Sequence, residues 1–336
     1  MLIGNHNLYV LSPNFRPVGG IAKLLDYAVH ADHEKYDVHF VTITDNHIGS
    51  GVLDKPYYRR SRHVVKLSKL DEVTFCDGDI VLFSLPQDFN RLLKRLHICG
   101  YPDVTIVHLV QNVRHENVFF ENGIARQLLF KGLFRICITQ QVYAVVSKYN
   151  ISSEMTTVIP HCFDFIFFKN ETLSHVPTLR IGYNTFKSKF GELVQSECLK
   201  RNLPVTFLTA NSGISWDNLR DFYFSCDVFL GTPLREEGYY LPGMEALAAG
   251  NILICPDAVG NKSYLSNEFV KIPRFENVDD YVFEIELLLK TDCDARAELR
   301  KSAVEFASQY RLEAEAELFN DFLNLLPNAG FFSRTR

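Results

Sequence analysis

The chain has no uninterrupted apolar run of about eighteen residues, the length a membrane-spanning helix needs, so none is expected. Its eight cysteines contain no C-x-x-C pair. Scattered at 76, 99, 137, 162, 198, 226, 255 and 293, several inside apolar runs, they read as buried free thiols in a reducing cytoplasm rather than as disulfides or a zinc site. A nucleic-acid partner is not expected either, because the formal net charge is −5 and no basic block stands out. The opening MLIGNHNLYVLSPN lacks a charged segment ahead of an apolar one and reads as a first strand, not a signal peptide. There is no short-period repeat, no low-complexity tract and no G-x-G-x-x-G fingerprint.

What is present is ordinary globular material: 336 residues, 47% hydrophobic and 22% charged, long enough for two domains. The charge is uneven. Residues 1–150 carry 17 Lys+Arg against 14 Asp+Glu, and residues 151–336 carry 18 against 26, so an anionic partner would meet the N-terminal half.

Strand and helix signals alternate along both halves. In the first, strands are expected at 7–13, 36–43, 78–86, 103–111 and 142–147, with helices at 21–31, 88–98 and about 119–137. A strand at 156–164 closes this half, and the Pro-containing stretch that follows, with little periodicity, is the natural boundary. The second half repeats the pattern with strands at 179–185, 205–210 and 226–233, then NILICP, and helices at 188–201 and 215–225; from 277 it is helical. Two such blocks predict an α/β protein with two Rossmann-like domains: 1–160, a linker at 161–178, 179–310, and a last helix within 311–336 that crosses back to the first domain.

The densest chemistry lies in PLREEGYYLPGMEALAAGNILICP, where Glu237 and Glu245 stand eight positions apart around a turn. Pro242 suits the start of a helix, and Gly250 is placed to end it. Amide groups from Gly238, Tyr239, Tyr240 and Leu241 would then face an anion at the helix N-terminus. Each acid alone would be read as solvated, or as complementing the helix dipole. The combination is more specific.

EEGYYLPGMEALAAGNILIC (236–255) resembles the E-x7-E region of retaining GT-B glycosyltransferases, family 4 in particular, written E-G-F-G-L-P-x-x-E-A-x-A-x-G-x-P-V-V. Glu237, Gly238, Leu241, Pro242, Glu245, Ala246 and Gly250 match it; Tyr240 replaces the second glycine. VIPHCFDFIFF resembles the family's linker, and RLEAEAELFNDFL its closing helix. The resemblance implies a GT-B fold, two Rossmann-like domains facing a central cleft. It further implies a nucleotide-diphospho-sugar donor as co-substrate, a glycan or lipid-linked acceptor, and no metal or resident cofactor.

By the same resemblance Glu245 would bind the ribose hydroxyls, and Glu237 the donor sugar. Lys187 or Lys189, in IGYNTFKSKFGE, would reach the diphosphate, with Arg235 a substitute for the family's arginine, where Asn184 stands. Gly19 and Gly20 match the family's N-terminal glycine loop, which lies near the donor phosphate and the acceptor. The family's histidine near the reacting sugar corresponds to Gln111 or to His115, His108 lying inside the strand, and Ser147 matches a Val-Ser at the end of the next strand. The chain departs from the family in KSYLSNEF and in a short 205–226 segment, regions that normally hold the base. These departures leave room for a catalytically silent GT-B subunit, or for another GT-B enzyme such as an epimerase or inverting transferase. The segments 57–70 and 124–135 mix basic with apolar residues; the second suits an interfacial helix at the inner membrane face as well as an ordinary helix on the sheet.

Overall fold

Runs such as NLYVL and TIVHLV are apolar without alternation, the pattern of strands covered by helices on both faces. The computed structural model describes residues 6–44, 51–61, 65–117, 119–149, 153–173 and 178–326. These runs become two parallel sheets, one in each of two units.

The first unit comprises residues 1–162 together with 312–336. Its sheet has β1 (His6–Ser12), β2 (Tyr36–Thr42), β3 (Lys66–Lys69), β4 (Ile80–Phe83), β5 (Thr105–Val110), β6 (Phe134–Cys137) and β7 (Thr156–Val158). The order is β3-β2-β1-β4-β5-β6-β7, every neighbour parallel. The second unit, residues 163–311, has β8 (Leu179–Asn184), β9 (Val205–Ala210), β10 (Val228–Leu230), β11 (Ile252–Ile254) and β12 (Val270–Lys271), ordered β12-β11-β10-β8-β9. Strand order reverses between β1 and β4 in one sheet and between β8 and β10 in the other. In open parallel sheets such reversals open a crevice at the carboxyl ends of the strands.

Three expectations are corrected. Residues 142–147 are not a strand but part of helix Gln140–Ser147, so Ser147 ends a helix. Thr139 caps that helix by accepting from the Val142 amide at 3.1 Å, and Val142, Val145 and Val146 are its buried residues, at helical spacing. The strand missed there is β6, at the end of what the pattern assigned to a helix. There the Arg135 side chain, fully buried, donates to the carbonyls of Leu128, Lys131 and Leu133 at 2.7–2.9 Å. Segment 124–135 therefore carries only a short helix, Ile124–Leu128, before entering the sheet. Segment 57–70 likewise divides into helix Pro56–Ser61 and the edge strand β3, where lysines guard an open edge. Residues 62–64 lie outside the described residues. No helix among the described residues is long and apolar enough to cross a membrane.

The first unit also buries a cluster of charge. Lys23 pairs with Glu315, lies 3.0 Å from Asp26, and donates to the Cys162 carbonyl at 2.9 Å. Lys55 meets Asp26 at 2.5 Å, and His30 Nε2 stands 2.9 Å from Glu315. Two lysines thus offset two carboxylates, which is what permits charge to stay buried. The cations beside Glu315 hold its carboxyl well below the usual range, against the opposing effect of burial.

Burial depresses two histidines here, His115 and His161, each to about 4. A ring kept neutral when folded but protonated at about 6.5 when unfolded adds stability above that pH, and loses it as pH falls toward about 4. The free energy of unfolding should therefore decline below pH 6.5, by about 1.4 kcal/mol per pH unit for each histidine. Urea titrations at pH 7.5, 6 and 5 check this. A level profile would mean that neither ring is held neutral.

Candidate active site

β8 ends at Asn184, and helix Phe190–Lys200 starts one loop later. Gly191 permits that close return: a Cβ there would lie 2.3 Å from the Tyr183 ring. The loop carries Lys187 to Glu237, with Nζ 2.5 Å from Oε1. Glu237 is only 5% exposed although it lies in a loop. Its amide donates to the Ala258 carbonyl and its carbonyl accepts from the Gly260 amide, both at 3.1 Å, while Oε1 also accepts from the Leu234 amide at 3.1 Å. The carboxylate is therefore fixed from its backbone outward.

The partner loop, after β11, is fixed as firmly. Asn261 is buried, its Oδ1 accepting from the Ala258 amide and its Nδ2 donating to the Pro256 carbonyl, both at 2.9 Å. Gly260 packs so tightly on the acidic loop that a Cβ would stand 2.1 Å from the Gly238 carbonyl oxygen.

Tyr240 lies beneath these groups. Its hydroxyl accepts from the Thr232 amide at 3.2 Å, its carbonyl accepts from the Tyr264 hydroxyl at 3.0 Å, and Lys187 Nζ is 5.9 Å from its ring centre. Tyr239 packs edge-on against Tyr264. Leu241 opens helix Leu241–Ala248 with Pro242 behind it, and Gly250 adopts the left-handed conformation (φ 75°) just past the helix end. Glu245 falls beyond the first turn of this helix rather than within it, and its Oε2 accepts from the Tyr223 hydroxyl at 3.1 Å.

Lys187, Glu237 and Tyr240 are thus brought together. Lys189 is exposed at the N-cap of helix Phe190–Lys200. Arg235 stacks on Phe275, its guanidinium 4.5 Å from the ring centre.

In the first unit, Gly19 and Gly20 open helix Gly19–His30. Gln111, just past β5, donates through Nε2 to the Gly20 carbonyl at 3.1 Å and to Ser84 Oγ at 2.8 Å. One amide so ties the ends of β4 and β5 to the helix after β1, at the point where strand order reverses. His115 does not join it. Its ring is 2% exposed, Nδ1 is 2.8 Å from the Asn112 carbonyl, and its centroid is 5.4 Å from that of His108. His108, fully buried, stacks on Phe83 at 4.7 Å, and burial pushes its pKa well below the ordinary value. Both rings are therefore neutral and interior.

No family model matches the sequence, and no curated protein matches it significantly. Solved structures do. HepE of Anabaena, crystallised with UDP and glucose, matches with TM-score 0.70 at 14% identity, over 96% of this chain and 100% of that one. Sucrose-phosphate synthase from Thermosynechococcus elongatus matches with TM-score 0.67 at 12% identity, over 95% and 98%. A glycosyltransferase from Rickettsia africae gives 0.67 at 11%, over 95% and 99%. The fold is GT-B.

Within the GT-B fold, several residues to which sequence reasoning gave no role are interior. Asn184 is 3% exposed at the end of β8, and its Nδ2 is buried without a hydrogen-bond partner, beside the reversal of strand order. Asn261 and Tyr223 hold the two acidic segments, yet read in the sequence as loop and core. A cavity of about 710 Å³ in the second unit, lined by Phe165, Phe167, Arg220, Phe224 and Arg311 among others, contains none of the predicted residues. Arg220 there is spent on the Phe167 ring at 5.0 Å and on Asp221 at 2.8 Å. Among the described residues no group of three or more His, Cys, Asp or Glu is placed to hold a metal ion.

Gly260→Ala should displace Gly238 and with it the Lys187–Glu237 pair, at a cost of about 1–3 kcal/mol. Calorimetric melting together with hydrogen exchange at residues 234–241 checks this. Unchanged protection of that loop would show that the contact is slack.

Proposed function

We propose that the chain is a retaining glycosyltransferase of the family 4 type. It moves a sugar from a nucleotide-diphospho-sugar to a glycan or lipid-linked glycan during polysaccharide or glycoconjugate synthesis. The observation that carries this reading is the fixed Lys187–Glu237 pair at the carboxyl ends of β8 and β10, one helical segment from Glu245. HepE, which shares the fold, has been crystallised with UDP and with UDP-glucose, which supports a nucleotide-sugar donor. A matching trehalose-6-phosphate synthase has been studied for glycosyl transfer with retention, which supports that stereochemistry.

In this reading the leaving diphosphate draws Lys187 from Glu237 and receives the amides of 238–241, with Lys189 adding positive charge nearby. Glu237, released from its ion pair, holds the donor sugar hydroxyls and stabilises positive charge as it develops at the anomeric carbon. Glu245 binds the ribose. The bond from the anomeric carbon to the phosphate oxygen breaks with its electron pair on that oxygen. The acceptor oxygen bonds to the same face of the carbon and gives its proton to the departing phosphate. The Gly19–Gly20 turn serves the donor phosphate and the acceptor, and Gln111 stands near the reacting sugar, while His115 supports the Asn112 turn. Arg235, stacked on Phe275, is a further positive group for the diphosphate. Neutralisation by lysine and backbone amides makes a metal unnecessary.

A thermal-shift screen of uridine, guanosine and adenosine diphosphates tests the reading first, since a ligand at a hundred times its Kd adds about 2.7 kcal/mol. No shift with any of them would refute it. Glu245→Ala should then raise the nucleotide Kd with little change in kcat, whereas Glu237→Ala should mainly lower kcat, because its interaction strengthens in the transition state. Near-unchanged kcat/KM in both variants would mean that the motif is misassigned. Turnover should also survive a chelator, and an inverted product anomer would exclude retention.

A further inference from the structure

Glu245 is held by a residue that no motif points to. Tyr223, on helix Trp216–Phe224, donates its hydroxyl to Glu245 Oε2 at 3.1 Å, in a setting where the tyrosine is fully buried and the glutamate 9% exposed. Burial and the neighbouring carboxylate raise the Tyr223 pKa well above its ordinary value, so the group stays a hydroxyl and a donor.

The ring itself has no room to swing. It packs edge-on against Phe229 at 5.3 Å and Phe168 at 5.9 Å, with Phe222 at 5.5 Å. Its own carbonyl accepts from Asn251 Nδ2 at 3.0 Å, and Asn251 directly follows Gly250, where the Glu245 helix ends. Tyr223 is thus fastened to that helix twice, once at the carboxylate and once just past its end.

We propose that Tyr223 is a positioning residue, holding the Glu245 carboxylate in the one orientation that accepts from the two ribose hydroxyls of a nucleoside diphosphate. This rests on the nucleotide role given to Glu245 above. A glutamate side chain turns about three bonds, whereas two vicinal hydroxyls require both carboxylate oxygens at once. A carboxylate offers about four acceptor positions, and the Tyr223 hydroxyl donates to one of them, which restricts how the group can turn. The rival account is that Tyr223 only satisfies a buried carboxylate. That account predicts lost stability without any change in how ribose is distinguished.

The test is titration calorimetry on the full chain with uridine, guanosine and adenosine diphosphates and their 2′,3′-dideoxy counterparts. The unaltered protein should prefer the ribose form by about tenfold or more, as hydrogen bonds to a charged group allow. Tyr223→Phe should narrow that preference by about fivefold, leaving the dideoxy affinity within about a factor of two. In a Glu245→Gln background the same substitution should change the preference no further. An unchanged ratio, with only a lower melting temperature, would overturn the proposal. If the unaltered protein binds ribose and dideoxyribose forms equally, or binds no nucleotide, the role of Glu245 fails first and this inference falls with it. Should Tyr223→Phe not fold, Asn251→Ser serves in its place, because it releases the Tyr223 carbonyl. A smaller narrowing is then expected, and an unchanged ratio again counts against the proposal.

Discussion

Both sheets are parallel throughout, and much of the chemistry follows from that constraint. A parallel strand must be re-entered from the same end, so every loop leaving a carboxyl end collects on one side, followed by a helix N-terminus. Where strand order reverses, two such loops diverge and leave a crevice. In the second unit the loops after β8, β10 and β11 carry Lys187, Glu237 and Gly260 to that place. In the first, Ser84, Gln111 and Gly20 meet at the corresponding reversal. Residues far apart in sequence are neighbours because the connectivity admits few other arrangements.

The acidic motif shows how a conspicuous pattern depends on inconspicuous partners. Glu237 is immobile because its backbone is bonded to the β11 loop, and that loop is immobile because Asn261 spends its whole amide on it. Without such support two carboxylates on a turn would be solvated surface groups. Lys187 completes the balance by meeting Glu237 directly, so that a buried acid is not left unpaired.

Much of this was legible in the sequence. Apart from the short helices Phe165–Phe168 and Lys262–Leu265 and the two-residue β12, the strand and helix order of the second unit could be read from apolar runs and their punctuation, and Pro242 and Gly250 marked a helix that is there. The failures have local causes. Residues 142–147 are valine-rich enough to read as a strand, and the deciding signal was one threonine cap at 139. β3 was obscured because an edge strand guarded by lysines lacks the apolar run that marks its neighbours. His115 was read with Gln111 as a counterpart of the family's histidine, but the Asn112 side chain folds a tight turn that carries it inward to His108, a burial its place just beyond the strand did not signal. Tyr223 could not be singled out, since an aromatic on a helix face is ordinary core until its hydroxyl has a partner.

The buried charge cluster has a further consequence, which concerns the order of synthesis. The second unit is one unbroken segment, 163–311, whereas the first is completed only by residues that follow it. Until Glu315 leaves the ribosome, Lys23 has lost its main carboxylate partner, and an uncompensated cation cannot be buried cheaply. The half made first therefore finishes folding last, and waits with its hydrophobic helix face uncovered while the later half is already complete. During that interval the buried face of helix Gly19–His30 is open to aggregation.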